Sequence, residues 1–203
     1  KTIKNFFKKM NFIKLYKNSI YKSLLYLNEK KIKESINLLK KVRKSKGRLF
    51  IIGVGGSAGN ASHAVNDFRK LCSIDAYTPV DNISEITAKT NDDGFETIFD
   101  TYLKLSNFNN KDILMIFSVG GGNLKKNVSV NLIKAIKYAK LKKGKCISII
   151  GRSDGYAYKN SDISILINVE NKKLITPVSE TFQTLIWHLL VSHPDLQVNK
   201  TKW

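Results

Sequence analysis

Acidic residues are scarce in this chain: 16 Asp and Glu stand against 35 Lys and Arg, for a net charge of +19. A surplus of that size invites a nucleic-acid reading, but its distribution argues against one. Residues 1–48 hold 16 Lys and Arg against Glu29 and Glu34, so +14 lies there and only +5 on the rest. The excess is mostly lysine on helix-like sequence, with no aromatic-interleaved RNA motif and no zinc-finger spacing. It reads as a solvated helical face, and nucleic acid is not an expected partner. Cysteine is also sparse. Cys72 and Cys146 form no CxxC pair and no disulfide framework, and each borders an apolar run, as reduced core residues of a cytosolic protein do. No stretch nears the roughly 20 continuous apolar residues that span a bilayer, and lysines break the start too often for a signal-peptide core. No membrane partner and a cytoplasmic location are expected. There is no GxxxxGK[ST], and "GVGGSAG" has neither GxGxxG spacing nor a clear acidic residue ending the next strand. A small phosphorylated ligand is therefore preferred to a nucleotide, and no nucleotide cofactor is expected.

What is present is periodic. With 203 residues, 42% of them hydrophobic, the chain fits one core-forming domain. From Phe12 to Val42 apolar residues recur at helical spacing between lysines, as one long amphipathic helix or two divided near "LNEKK", ending before Gly47 as a cap. Such a stripe must pack on the following domain or on the same stripe of another subunit, so an oligomer is expected. After Gly47 the rhythm changes. Buried strands are predicted at 48–53, 112–118, 145–151 and 162–169, with a weaker one at 74–79. Helices are predicted near 57–71, 83–89, 95–105, 124–141 and 179–192. This alternation predicts an α/β three-layer sandwich around a five-stranded parallel sheet, with ligands beyond the carboxyl ends of the strands.

Two glycine loops, "GVGGSAGN" and "SVGGGN", each follow a predicted strand and lead toward a predicted helix. Glycines let backbone N–H groups turn toward an anion, and a helix N-terminus adds partial positive charge. Gly55, Gly56 and Ser57 in the first loop, and Ser118, Gly120 and Asn123 in the second, are the candidate ligand contacts. The first loop opens a helix on which His63 and Asp67 lie at i, i+4 and share a face. The late helix "SETFQTLIWHLLVSH" carries Glu180, Gln183 and His188. Glu180 and His188 are about 80° apart around the axis, which lets both face one cavity. The His, Asp, Glu and His set suits a divalent metal such as zinc, without matching a strong zinc signature. Taken alone, His63 reads as a solvent-facing or satisfied core helix residue, Asp67 as solvent-facing, Trp187 as core, and Gln183 as surface. Asn91, Asp92 and Gly94 read as a polar turn before a helix.

Together "GVGGSAGNASH", "TNDDGFE" and the helix ending in His188 resemble the sugar-isomerase (SIS) domain family, and within it the phosphoheptose isomerases. The resemblance covers most of the chain. It implies a flavodoxin- or Rossmann-like SIS domain over residues 47–203 and a helical segment over 1–46 that builds a homotetramer, with active sites between subunits. It implies sugar-phosphate contacts at Gly55, Gly56 and Ser57, and substrate contacts at Asn91 and Asp92. Metal ligands and acid–base groups fall on His63, Asp67, Glu180 and His188. Departures are visible too. Val54 replaces an asparagine, Asp67 a glutamate and Glu180 a glutamine, and the second loop has lost most of the usual hydroxyls. Backbone N–H groups can still bind an anion there.

The resemblance implies an aldose–ketose isomerase working through an enediol, acting on sedoheptulose 7-phosphate or, as a close relative in heptose or polysaccharide biosynthesis, on another sugar phosphate. Asp67 is expected as the base and His188 as its partner, with bound zinc polarising the carbonyl. An aspartate is a weak base in water, so that role needs burial or a neighbouring acid such as Glu180. If Asp67 and Glu180 both ligate a metal, the base lies elsewhere. The alternative is a SIS-fold protein without catalysis that senses a sugar phosphate or bridges partner proteins. The altered second loop favours it, and the retained His63 and His188 oppose it.

Overall fold

A computed structural model describes residues 2–201, with side chains from Asn11 onward. The lysine-rich start forms two helices, α1 (Thr2–Leu25) and α2 (Glu29–Lys44). The break is set by Asn28, whose side-chain oxygen accepts from the Lys31 N–H at 3.1 Å and caps α2. Ile32, Ile36, Leu39 and Val42, three or four residues apart, are buried by α2. Gly47 does not supply the left-handed residue that ends it; Lys46 does, at φ 54°, while the Gly47 N–H bonds the Val42 carbonyl at 3.0 Å. Gly47 is small for another reason: a β-carbon there would lie 2.0 Å from the Lys111 carbonyl oxygen.

All five expected strands form, as β1 (Arg48–Ile52), β2 (Asp75–Tyr77), β3 (Ile113–Ser118), β4 (Lys145–Ile150) and β5 (Ile163–Leu166). They pair in parallel in the order β2-β1-β3-β4-β5. Helices α3 (Gly56–Cys72), α4 (Ile83–Asp93), α5 (Ile98–Leu105), α6 (Val130–Leu141), α7 (Tyr156–Asn160) and α8 (Ile175–Ser192) complete the chain. Because successive strand residues point to opposite faces, each strand feeds two cores. Leu49, Ile51, Met115, Phe117, Ile147 and Ile149 face α2, α3 and α8. Phe50, Ile52, Leu114, Ile116, Cys146 and Ile150 face α5, α6 and α7. The result is the expected three-layer sandwich. Both cysteines are buried, which pushes each thiol up to about 12. No described helix is long and apolar enough to cross a membrane.

Three local expectations are corrected. The helix predicted from Leu124 starts at Val130, because Asn123 and Val128 exchange backbone hydrogen bonds at 2.8 and 3.0 Å and close residues 123–128 into a loop. Asn127 and Ser129 then take positive φ, a conformation to which short polar side chains adapt. Helix α8 begins one turn earlier than predicted, and α7 was not anticipated. The chain leaves β1 toward β2 on one side and returns to β3 on the other, so the ends of β1 and β3 form the crevice where such sheets bind ligands.

One buried ion pair ties the strand starts together. Asp112, almost fully buried, accepts from Arg48 N at 2.9 Å, Asn109 N at 3.0 Å and the Arg48 guanidinium at 2.7 Å. That carboxylate holds Arg48 above its usual range. Removing one partner strands a partly buried charge. Asp112→Ala should cost about 3 kcal/mol, read as a lowered urea midpoint at unchanged slope.

Candidate active site

The site is built on two helices running side by side in the same direction. Gly55, at φ 64°, turns the chain from β1 into α3, and Ser57 is buried in the first helical turn. Asn60 fastens α3 to α8. Its amide donates to the Glu180 carbonyl and to Gln183 Oε1, both at 3.0 Å, and its oxygen accepts from Thr184 Oγ1 at 2.9 Å. Below this latch, α3 presents His63 and Asp67, and α8 presents Trp187 and His188.

His63, Asp67 and His188 come together from segments more than 100 residues apart in sequence, with ligand atoms within 4.8 Å of one another. Asp67 Oδ2 lies 3.9 Å from His63 Nε2 and 3.8 Å from His188 Nε2. These gaps are too long for hydrogen bonds and leave room for a ligand between the groups. Asn66 holds the other oxygen, Asp67 Oδ1, at 2.9 Å. Trp187 lies edge-on to His63 at 4.7 Å between ring centres and against His188 at 3.5 Å, fixing the angle between the imidazoles. It is fully buried, and its indole N–H has no partner. Burial lowers the pKa of His188, the Asp67 carboxylate raises it in part, and His63 lowers it further. The net shift is downward, so the His188 ring is neutral near pH 7. Two imidazoles and a carboxylate with an open side fit a divalent cation of the zinc type.

The other candidates are placed elsewhere. Glu180 is not in the cluster: its carboxyl atoms stand against Gly56, within 2.6–2.7 Å of where a β-carbon would be. The eight-residue step that lets Glu180 and His188 share a face also separates them by about 12 Å along the axis. Gln183, expected to meet ligand, is fully buried, its oxygen accepts from Asn60, and its amide nitrogen has no partner. Ser118 accepts from the Gly121 N–H at 2.9 Å, and Asn123 Oδ1 from the Lys126 N–H at 3.0 Å, so both side chains hold the loop itself. Gly120 has open space where a β-carbon would stand. Asn91 and Asp92 are exposed in the last turn of α4 and bonded to each other at 2.9 Å. They precede a short 3₁₀ turn whose Phe95 and Glu96 do line a cleft.

That cleft, of 430 Å³, lies between the loop after β1, the 3₁₀ turn and the loop before α6. Val54 forms one wall, and Ser129, Val130 and Asn131 at the entrance of α6 form another. Ser129 and Asn131 escaped the sequence reading because the helix was begun too early. The paired asparagines of "NLKKNVS" were the available sign of a loop before it.

A SIS domain profile matches residues 15–151. The chain belongs to the SIS domain family. This SIS protein is 30% identical over 183 residues to the phosphoheptose isomerase of Helicobacter pylori strain ATCC 700392 / 26695, covering 86% of this chain and 88% of that protein. It is 31% identical over 140 residues to the phosphoheptose isomerase of Buchnera aphidicola subsp. Schizaphis graminum, covering 67% and 69%. The fold matches a solved phosphoheptose isomerase of Neisseria gonorrhoeae with a TM-score of 0.75 at 22% identity, over 91% of this chain and 96% of that one. A Francisella tularensis phosphoheptose isomerase gives 0.76 at 21% identity, over 91% and 94%.

For the metal-free SIS protein, NMR titration should place the His188 midpoint below the ordinary value of about 6.5. Asp67→Asn removes the one charge holding it up, so the midpoint should fall further. A rise in that variant would show that another group controls the ring.

Proposed function

We propose that this chain is a phosphoheptose-type aldose–ketose isomerase whose substrate is sedoheptulose 7-phosphate. The observation that carries this is the meeting of His63, Asp67 and His188 between α3 and α8 in a chain related to named phosphoheptose isomerases. Asp67 takes the proton from C1 of the ketose and returns it to C2. His188, neutral near pH 7, moves the hydroxyl proton between O1 and O2 as the enediol forms and collapses. Those two roles belong to the metal-free site; where zinc is bound, His63, Asp67 and His188 would hold it, and it would polarise the carbonyl and offset the enediolate charge. The phosphate belongs in the cleft at the strand ends, between the glycine loop and the α6 entrance, where Ser129 and backbone N–H groups are available.

A length argument supports a site shared between subunits. Gly56 and Asp67 are eleven residues apart on α3, about 16 Å along the axis. At about 1.5 Å per bond, a seven-carbon chain with its phosphate extends roughly 10 Å. One chain's phosphate loop therefore serves another chain's His/Asp cluster. Helix α1 has the surface for such assembly: Phe12, Ile13, Leu15, Tyr21, Leu24, Leu25 and Tyr26 are all exposed among its lysines and just beyond its end. We assign residues 1–46 to oligomerisation, as a homotetramer by family resemblance, in the cytoplasm, where the two thiols stay reduced.

Incubation of the protein, with and without zinc, with sedoheptulose 7-phosphate in D₂O should show deuterium entering at C1 and C2 by NMR. Asp67→Asn and His188→Ala should each lower that rate at least 100-fold. Absence of exchange with any C5 to C7 ketose phosphate would favour the binding-protein alternative. Leu24→Lys with Leu25→Lys should shift the protein to smaller species in sedimentation and lower exchange in parallel, with the circular dichroism unchanged.

A further inference from the structure

Because all five strands are parallel, every helix-to-strand connection lies at one end of the sheet, opposite the glycine loops. These connections, residues 43–48, 69–75, 104–112, 140–145 and 159–163, hold 13 Lys and Arg against Asp75, Asp112 and Asp162. The strand-to-helix connections at the other end, 53–55, 78–82, 119–129, 151–155 and 167–174, hold five against three, so the positive charge is gathered on the face away from the cleft. Helix dipoles account for a cation in each last turn. They do not account for Lys46, Lys111 and Lys143 beyond the helix ends. Lys46 and Lys143 even stand at positive φ, where glycine or asparagine is the usual residue. Lys44, Lys46, Lys111, Lys142 and Lys143 are exposed and, among the described residues, pair with no carboxylate.

The same face carries two bare leucines. Helices α5 and α6 pack side by side, and Lys104 near the end of one and Lys142 just past the end of the other lie 5.7 and 5.6 Å from the Tyr138 ring. Leu105 and Leu141, each next in sequence to one of those lysines, are 68% and 75% exposed. We propose that this face docks on an anionic lipid surface, with Leu105 and Leu141 entering the headgroup layer and the lysines of the connections on the lipid phosphates. A nucleic acid is the poorer fit. Arg43, Arg48 and Arg69 are turned onto backbone carbonyls, Asp112 and the Tyr77 ring, and Phe108, the one aromatic residue in these connections, is buried. Neither a free guanidinium fork nor a ring for stacking bases is left. Docking of this kind needs no spanning helix, and it leaves the cleft beyond the strand ends open to water. The surface is assembled from five separated segments, so no single run of sequence announces it, and it stands independently of the isomerase reading.

The full-length protein is sedimented with vesicles of phosphatidylcholine alone and of phosphatidylcholine with about one third phosphatidylglycerol, at about 0.1 M salt. It should bind the anionic vesicles only, and added salt should release it. Lys142→Glu with Lys143→Glu should weaken that binding at least tenfold, and Lys46→Glu with Lys111→Glu, from two other connections, should act alike, with the circular dichroism unchanged. Leu105→Ser with Leu141→Ser should weaken binding to vesicles several-fold and leave any residual binding to duplex DNA as it was. Lys14→Glu with Lys17→Glu, on α1, should leave vesicle binding in place. Failure to sediment with anionic vesicles, equal binding to neutral ones, tighter binding to duplex DNA than to vesicles, or loss in the α1 variant without loss in the connection variants would overturn the proposal.

Discussion

The contact between α3 and α8 is the constraint on which the chemistry depends. The two helices run parallel, and their facing residues form a ladder: Gly56 with Glu180, Asn60 with Gln183 and Thr184, His63 with Trp187, Asp67 with His188. Only the Asn60 rung is made of full hydrogen bonds, and it is partly buried, where an unmade bond costs more than a made one gains. It sets the register. A slip of one residue along the helix screw would turn the facing side chains by about 100° and separate His188 from Asp67. Apolar burial thus brings the helices to the sheet, and the polar rung decides which side chains meet.

Charge is organised in the same economical way. Most carboxylates are paired with lysine or arginine, some of them one helical turn apart, as in Lys31 with Glu34, Glu85 with Lys89 and Asp100 with Lys104. The exposed pairs among them, such as Lys33 with Glu29, contribute little to stability, so they mainly remove stray negative charge from a basic surface. Asp67 and Glu180 have no lysine or arginine partner, and both stand on the α3–α8 ladder. The lysine excess of the N-terminal helices is separate from this. It surrounds an apolar stripe, part of which packs on the sheet through α2 while α1 leaves bulky side chains exposed.

Much of the fold was legible in the sequence. Strands buried on both faces appear as short continuous apolar runs, and β1, β3 and β4 are of that kind. Alternation with amphipathic segments then leaves few topologies. The boundaries were less legible where tertiary contacts outweigh local preference. Leu124–Ser129 contains good helix formers, yet two backbone hydrogen bonds between Asn123 and Val128 hold it as a loop. The histidine and aspartate of α3 were legible as an i, i+4 pair. Their meeting with His188 was not readable from spacing, because it depends on how far α8 is shifted along α3. The family resemblance named His188, and the Asn60 latch supplies the physical reason for its position.

Angular periodicity says which residues share a face, and axial rise says which of them can touch one ligand. Glu180 and His188 satisfy the first condition and fail the second by about 12 Å. The same rise separates the glycine loop from Asp67 by more than a heptulose phosphate can span. On the proposed reading, the crevice and the His/Asp cluster are too far apart for one small substrate within a single chain, and assembly would supply what one chain lacks. The exposed apolar side chains of α1 and the open side of the cluster would then have one explanation: subunit packing that brings one chain's crevice to another chain's imidazoles. On that view α1 belongs to the catalytic apparatus as much as α3 does, since it sets the distance over which the sugar must reach.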